Sequence, residues 1–207
     1  MDPKAIVRAG YDRVSHVYRT EEDGAYQHDY AAWVNRLCAD LGLNPHVLDL
    51  GCGCALPAGR LIAARAKLTG VDISPVQLDR ARVLVPGGRF ICDDLCHVRF
   101  PAGTFDAVVS FWAIIHVPIE EQRPLFRRIA GWLKPGGFFM GTLSRTAWAG
   151  TEEDWLGVEG ATMYWSHADA ETYRRWLEEA GFHMVAEELV PEGDGGHQLF
   201  HARLAVG

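Results

Sequence analysis

Short apolar runs alternate with longer amphipathic segments along most of this chain. Val47–Leu50, Lys67–Val71, Arg89–Cys92, Ala107–Phe111 and Phe138–Leu143 are brief and rich in β-branched and aromatic side chains, which predicts strands. Helical spacing predicts helices over Ala5–Val17, Ala25–Leu41, Ala58–Ala66, Pro75–Leu84 and Glu120–Leu133. In the second of these, Tyr30, Trp33, Val34, Leu37 and Leu41 share a face. Ser74-Pro75 sets a capping hydroxyl before a proline at the first helical position, a start signal. Strands separated by helices predict a parallel sheet covered on both faces. The last third changes character. Ser166 to Asp169 resembles a capping box; it opens a helix with Tyr173, Trp176, Leu177 and Ala180 on one face and Gly181 at its end. Two strand-like runs follow, Phe182–Val190 and His197–Leu204, joined by P-E-G-D-G-G. That joint is too short for a crossover, so the pair must be an antiparallel hairpin.

The turn after the first predicted strand carries the chemistry. Val47 to Ala58 reads V-L-D-L-G-C-G-C-A-L-P-A: an apolar run, Asp49, two glycines one residue apart (Gly51, Gly53), then a helix start. Glycine permits positive φ and lets a ligand approach the main chain, and the following helix presents N–H groups and a positive dipole end to an anion. A dinucleotide fingerprint needs a third glycine at position 56, where Leu56 stands, and no phosphate-loop Gly-Lys-Ser/Thr is present. Asp49 beside the turn suits a cation, and Asp72, ending the next apolar run, suits ribose hydroxyls. Together they fit a positively charged nucleoside without phosphate, the character of S-adenosylmethionine.

With these residues in view, the chain resembles the class I S-adenosylmethionine-dependent methyltransferases. Five motifs carry the likeness in order over the middle half: D-L-G-C-G-C-A from Asp49, G-V-D-I-S from Gly70, D-D-L from Asp93, F-D-A-V-V-S-F-W-A-I-I-H-V from Phe105, and L-K-P-G-G from Leu133. The family usually has a third glycine where Ala55 stands. The resemblance implies an α/β, Rossmann-like seven-stranded sheet, mostly parallel with an antiparallel C-terminal strand, in a single domain. It divides the chain into cap helices (1–42), a cofactor core (43–143), a lid (144–168) and a last helix with hairpin (169–207). It implies that Asp49, Gly51, Cys52 and Gly53 hold the methionine end of the cofactor, and Asp72 and Ile73 the ribose. Asp94 with Leu95 would hold the adenine (Asp93 being the alternative register), Ser110 and Phe111 would line the cofactor side, and Tyr11 and Tyr18 would cover it from a cap helix.

The acceptor side is less defined. The segment from Ser144 to His167 is rich in aromatics with glycines between them, and hangs beyond the carboxyl ends of the strands. It reads as a lid over an apolar pocket, or as a cluster packing that lid down. Trp112, His116, Met163, Tyr164, Trp165 and His197 are candidates to meet a small organic acceptor. His116, just after the fourth strand, is the candidate base, with His167 a second; a free imidazole titrates near 6.5, so either suits proton removal.

Composition narrows the partners. Formal charge is −7, which disfavours a broad nucleic-acid footprint, and Arg123, Arg127 and Arg128 read as a solvated helix face. No apolar stretch reaches membrane-spanning length and the N-terminus lacks a signal-peptide core. Five cysteines in no metal-type spacing read as reduced, buried thiols of a cytoplasmic protein, with no metal. The chain is expected as a monomer or homodimer, free of nucleic acid and membrane. Three other readings stay open: a methyltransferase of RNA or protein, a non-catalytic cofactor-binding relative, and a nicotinamide-dependent reductase.

Overall fold

The computed structural model describes residues 2–20, 29–192 and 195–206. Its main sheet takes β1 (His46–Leu50), β2 (Lys67–Asp72), β3 (Arg89–Cys92), β4 (Phe105–Phe111), β5 (Leu133–Ser144), β8 (Phe182–Glu192) and β9 (Gly195–Leu204) in the order β3-β2-β1-β4-β5-β9-β8. The first five strands run parallel. β9 is antiparallel to both β5 and β8, so the short joint does form a hairpin. The strand pattern also sorts the core. Val47, Val109 and Met140 point to one side, among Trp33, Leu37 and Ile62. Their neighbours Leu48, Val108 and Phe139 point to the other, among Phe105, Phe126, Tyr173 and Phe200. Both faces are therefore dry, as a parallel sheet requires.

The helices are α1 (Pro3–Tyr18), α2 (Tyr30–Asp40), α3 (Ala58–Ala63), α4 (Pro75–Leu84), α5 (Ile119–Trp132) and α6 (Ala170–Glu179). Asp2, Asp29, Ser74 and Asp169 cap four of them through their side chains. The predicted helix from Ala25 begins in residues outside those described. Helix α6 starts on Asp169, whose carboxylate accepts the Thr172 N–H at 2.8 Å. Ser166 is not in that cap: it lies on a strand, where its hydroxyl accepts the Ile119 N–H at 3.0 Å. A longer-range partner has displaced the local one. The segment read as a lid is a separate antiparallel hairpin of β6 (Trp148–Glu152) and β7 (Met163–His167). β8 forms one rim of the main sheet and is interrupted by a bulge between Met184 and Ala186. Among the described residues no helix is long and apolar enough to cross a membrane.

Strand order reverses at β1, which has β2 on one side and β4 on the other. The loops leaving β1 and β4 diverge there and open a crevice at the carboxyl ends of the strands.

Candidate active site

Two cavity lobes meet in that crevice and share Tyr18, Gly51, Gly53, Phe111 and Trp112 as walls. The larger takes in about 640 Å³, counting its open mouth, and reaches Asp72, Ile73, Asp94, Leu95 and His116. The smaller reaches Asp49, Cys52, Arg19 and Tyr30. Helix α1 roofs the larger lobe with Lys4, Val7, Tyr11 and Tyr18, residues spaced three, four and seven apart and so on one face.

The loop after β1 is built against phosphate. The Gly51 and Cys52 N–H groups both donate to the Val71 carbonyl, at 2.8 and 3.1 Å. The Gly53 N–H donates to Asp72 Oδ2 at 2.8 Å, and the Ser74 N–H to Oδ1 at 2.9 Å. These amides bind the loop to β2 instead of aiming at an anion. Helix α3 adds little, being six residues long with Pro57, which has no N–H, at its cap. The expected anion site at a helix start is thus absent here, and acids remain. Burial, helped by the Asp72 charge, pushes the Asp49 carboxyl up to about 7. Burial pushes Asp72 up to about 6 against the pull of its two N–H donors. Two buried carboxyls that hold their protons this firmly suit a positive ligand, which would favour their ionised forms.

His116 sits in a 3-10 turn after β4 and is 5% exposed. Its Nδ1 is 2.7 Å from the Tyr164 carbonyl, an acceptor only, so Nδ1 carries the hydrogen. Nε2 is left with a lone pair, which accepts the Tyr11 O–H at 3.0 Å. Trp165 packs over the imidazole at 4.3 Å between centroids, and Tyr11 and Trp155 close around it. Burial drops the imidazole to about 4. The result is a tyrosine–histidine pair with a fixed tautomer, both members facing the larger lobe.

Other candidates are placed elsewhere. Ser110 is buried in the sheet and donates to the Leu50 carbonyl at 2.9 Å, so it lines neither lobe. Met163 packs with Val7, Val14 and Trp155 behind the roof. Tyr164 contributes its carbonyl and Trp165 its ring face, and neither side chain lines a lobe. His167 is held by the Thr146 carbonyl at 2.6 Å, away from both lobes. His197 reaches the site only by packing edge-on to Trp112 at 4.6 Å. The hairpin thus packs onto α1, and reaches the cavity through what it holds. Of the cysteines, Cys52 and Cys54 are buried as expected, whereas Cys92 is exposed. Sequence reasoning missed Lys4 and Val7, which three-and-four spacing back from Tyr11 would have found, and Arg19, Tyr30, Ala113 and Val117, which carry no local signal.

Residues 47–137 match a family model described as a methyltransferase domain. Over that stretch, less than half of its length, the chain is similar to methyltransferase domains. The methyltransferase fold extends to nearly the whole chain. Magnesium protoporphyrin IX methyltransferase from Synechocystis with bound S-adenosylhomocysteine aligns with a TM-score of 0.74 at 21% identity, over 99% of this chain and 100% of that one. The [4+2]-cyclase SpnF aligns at 0.73 and 21%, over 99% and 97%. At such identities the likeness is one of fold. Among sequence relatives, a sterol 24-C-methyltransferase of Gibberella zeae is 30% identical over 139 residues, 63% of this chain and 36% of that protein. Phosphoethanolamine N-methyltransferase 1 of Triticum aestivum is 30% identical over 159 residues, 72% of this chain and 30% of that protein. The chain therefore spans about a third of the length of these relatives.

Proposed function

We propose that this chain transfers a methyl group from S-adenosylmethionine to a small organic acceptor. One observation carries the reading: two buried carboxyls, Asp49 and Asp72, flank a glycine turn whose N–H groups are already spent. That site rejects a pyrophosphate and accepts a cation. Asp49 and Arg19 face the smaller lobe and would hold the amino and carboxylate ends of the methionyl part. Asp72 and Ile73 would meet the ribose, and Leu95 with Asp94 the adenine. Tyr18, Phe111 and Trp112 wall both lobes and so would surround the sulfur between them. The cofactor, when bound, supplies a methyl group that is already activated. The chain's own share is to align the acceptor, exclude water and take a proton where the acceptor has one to lose. His116 Nε2, through the Tyr11 hydroxyl, is placed for that last task.

Calorimetry tests the reading. Asp72→Asn should weaken S-adenosylmethionine binding about 10- to 100-fold, the worth of a charge-assisted hydrogen bond. Undetectable binding to the wild type, or unchanged affinity in the variant, would refute it.

The match to a [4+2]-cyclase over 99% of the chain favours one other reading, an enzyme of this fold that moves no methyl group. Turnover without S-adenosylhomocysteine formation would select it.

A further inference from the structure

The nature of the acceptor follows from the charges and bases in the larger lobe, given the methyltransferase reading above. Its walls are mostly apolar, with Val7, Leu95, Phe111, Ala113 and Val117 beside the aromatic roof. Lys4, the one cation on its wall among the described residues, is gripped at the end given to the adenine by Asp94 at 2.6 Å and Glu121 at 2.5 Å. The part of the wall left to an acceptor, Tyr11, Ala113, His116 and Val117, offers no cation, so a carboxylate or phosphate there would be desolvated without a counter-charge.

We propose that the acceptor is an uncharged, largely apolar molecule bearing a hydroxyl, methylated on that oxygen with Tyr11 as the group that touches it. The lobe's carboxylates serve the cofactor in the reading above, Asp72 at the ribose and Asp94, tied to Lys4, at the adenine. Tyr11 and His116 are what is left to take a proton. His116 is surrounded by Tyr11, Trp155, Trp165 and a carbonyl, and among the described residues no carboxylate stands against it to stabilise an imidazolium. So weak a base removes a proton only from a group that turns strongly acidic as the new bond forms. A hydroxyl oxygen gaining a methyl does so. An alkylated amine does not, since its ammonium stays near 10, as in lysine.

The step balances. The hydroxyl oxygen's lone pair forms the new O–C bond while the C–S bond electrons stay on sulfur. The O–H proton passes to the Tyr11 oxygen as the Tyr11 proton passes to His116 Nε2. The products are a methyl ether, a neutral thioether and an imidazolium that later returns its proton to solvent.

The test is a ring-matched set of naphthalene, indole and flavone scaffolds, each bearing a hydroxyl, an amine or a carboxylate at the same position. Two signals are read with the wild type and Tyr11→Phe: S-adenosylhomocysteine formation, and tryptophan quenching as each compound binds the S-adenosylhomocysteine-loaded protein. The expected result is turnover of hydroxyl members and at least tenfold weaker binding of their carboxylates. Tyr11→Phe should lower kcat on hydroxyl members about 100-fold or more, a loss far larger than any change in S-adenosylhomocysteine affinity. Preferred turnover of amines or carboxylates overturns the proposal, as does unchanged kcat in Tyr11→Phe. Failure of every hydroxyl member to bind or react overturns it too. If the wild type binds no S-adenosylhomocysteine, the methyltransferase reading itself has failed.

Discussion

Gly51 and Gly53 look interchangeable in the chain, yet the fold needs them for different reasons. Both have positive φ, +75° and +52°. A Cβ on Gly51 would also lie 2.1 Å from the Ala113 methyl, whereas one on Gly53 would meet nothing nearer than 3.9 Å. Gly51→Ala should therefore cost about 2–5 kcal/mol, conformational strain plus overpacking, and Gly53→Ala about 1–2 kcal/mol from strain alone. Urea unfolding of the two variants checks this, and equal losses would contradict it. Two non-glycine residues sit in the same left-handed region beside the site: Ala55 at φ +63° and Trp112 at +61°. Ala55 takes up the left-handed conformation without being a glycine. Its methyl is buried at 1% exposure, and a Cβ added to Gly59 would lie 2.8 Å from it, so it fills the space against α3. Trp112 is held in its strained state by the Thr142 hydroxyl, which accepts its N–H at 2.7 Å, and by Tyr30, which accepts its indole N–H at 2.6 Å. Strain of this kind persists only where the surroundings over-determine it, as these two bonds do.

At the scale of elements, α1 is the roof and its polar contacts are the fasteners. Lys4 ties its first turn to Asp94 and Glu121, Tyr11 ties its middle to His116, and Asp12 accepts the Ser74 hydroxyl at 2.6 Å. Lys4→Met should loosen the first turn and raise the dissociation rate of S-adenosylhomocysteine several-fold while the fold stays intact, as stopped-flow fluorescence would report. An unchanged rate would show that the roof is held from elsewhere. How well each element could be read from sequence follows from what shapes it. β1, β2, β4 and β5 were legible because a strand dry on both faces must be written in apolar letters. The β6–β7 hairpin was not, since β6 carries W-A-G-T-E with almost no buried position and so no alternation to detect. Ser166 misled because a capping motif is local, while its actual partner lies 47 residues away on α5. The glycine turn and the acids that line the two lobes were readable as compact motifs. The Tyr11–His116 pair spans 105 residues, and only folding shows that the two belong together.

Across the whole molecule, the site's titrating groups oppose one another. Asp49 at about 7 and Asp72 at about 6 hold protons in the folded state that the unfolded chain releases near 4, so their contribution to stability is lost as pH rises through 6–7. His116, at about 4, works the other way: its contribution is present above 6.5 and lost as pH falls toward 4. Two carboxyls outweigh one imidazole, so these groups make the ligand-free protein less stable at pH 8 than at pH 5.5. A sulfonium that ionises both carboxyls reverses this balance. S-adenosylmethionine should raise Tm more at pH 8 than at pH 5.5, and by more than S-adenosylhomocysteine does. Thermal shift at both pH values checks it, and equal increments would contradict it.

The bulge between Met184 and Ala186 has a consequence for how copies of this chain meet. It puts a kink in the outermost strand, which also carries Glu187, Glu188 and Pro191. A crooked rim with a missing donor, its Glu187 and Glu188 tied to Arg174 and Arg36, makes a poor template for another chain's backbone. Zipping of a second copy along this rim is thereby disfavoured.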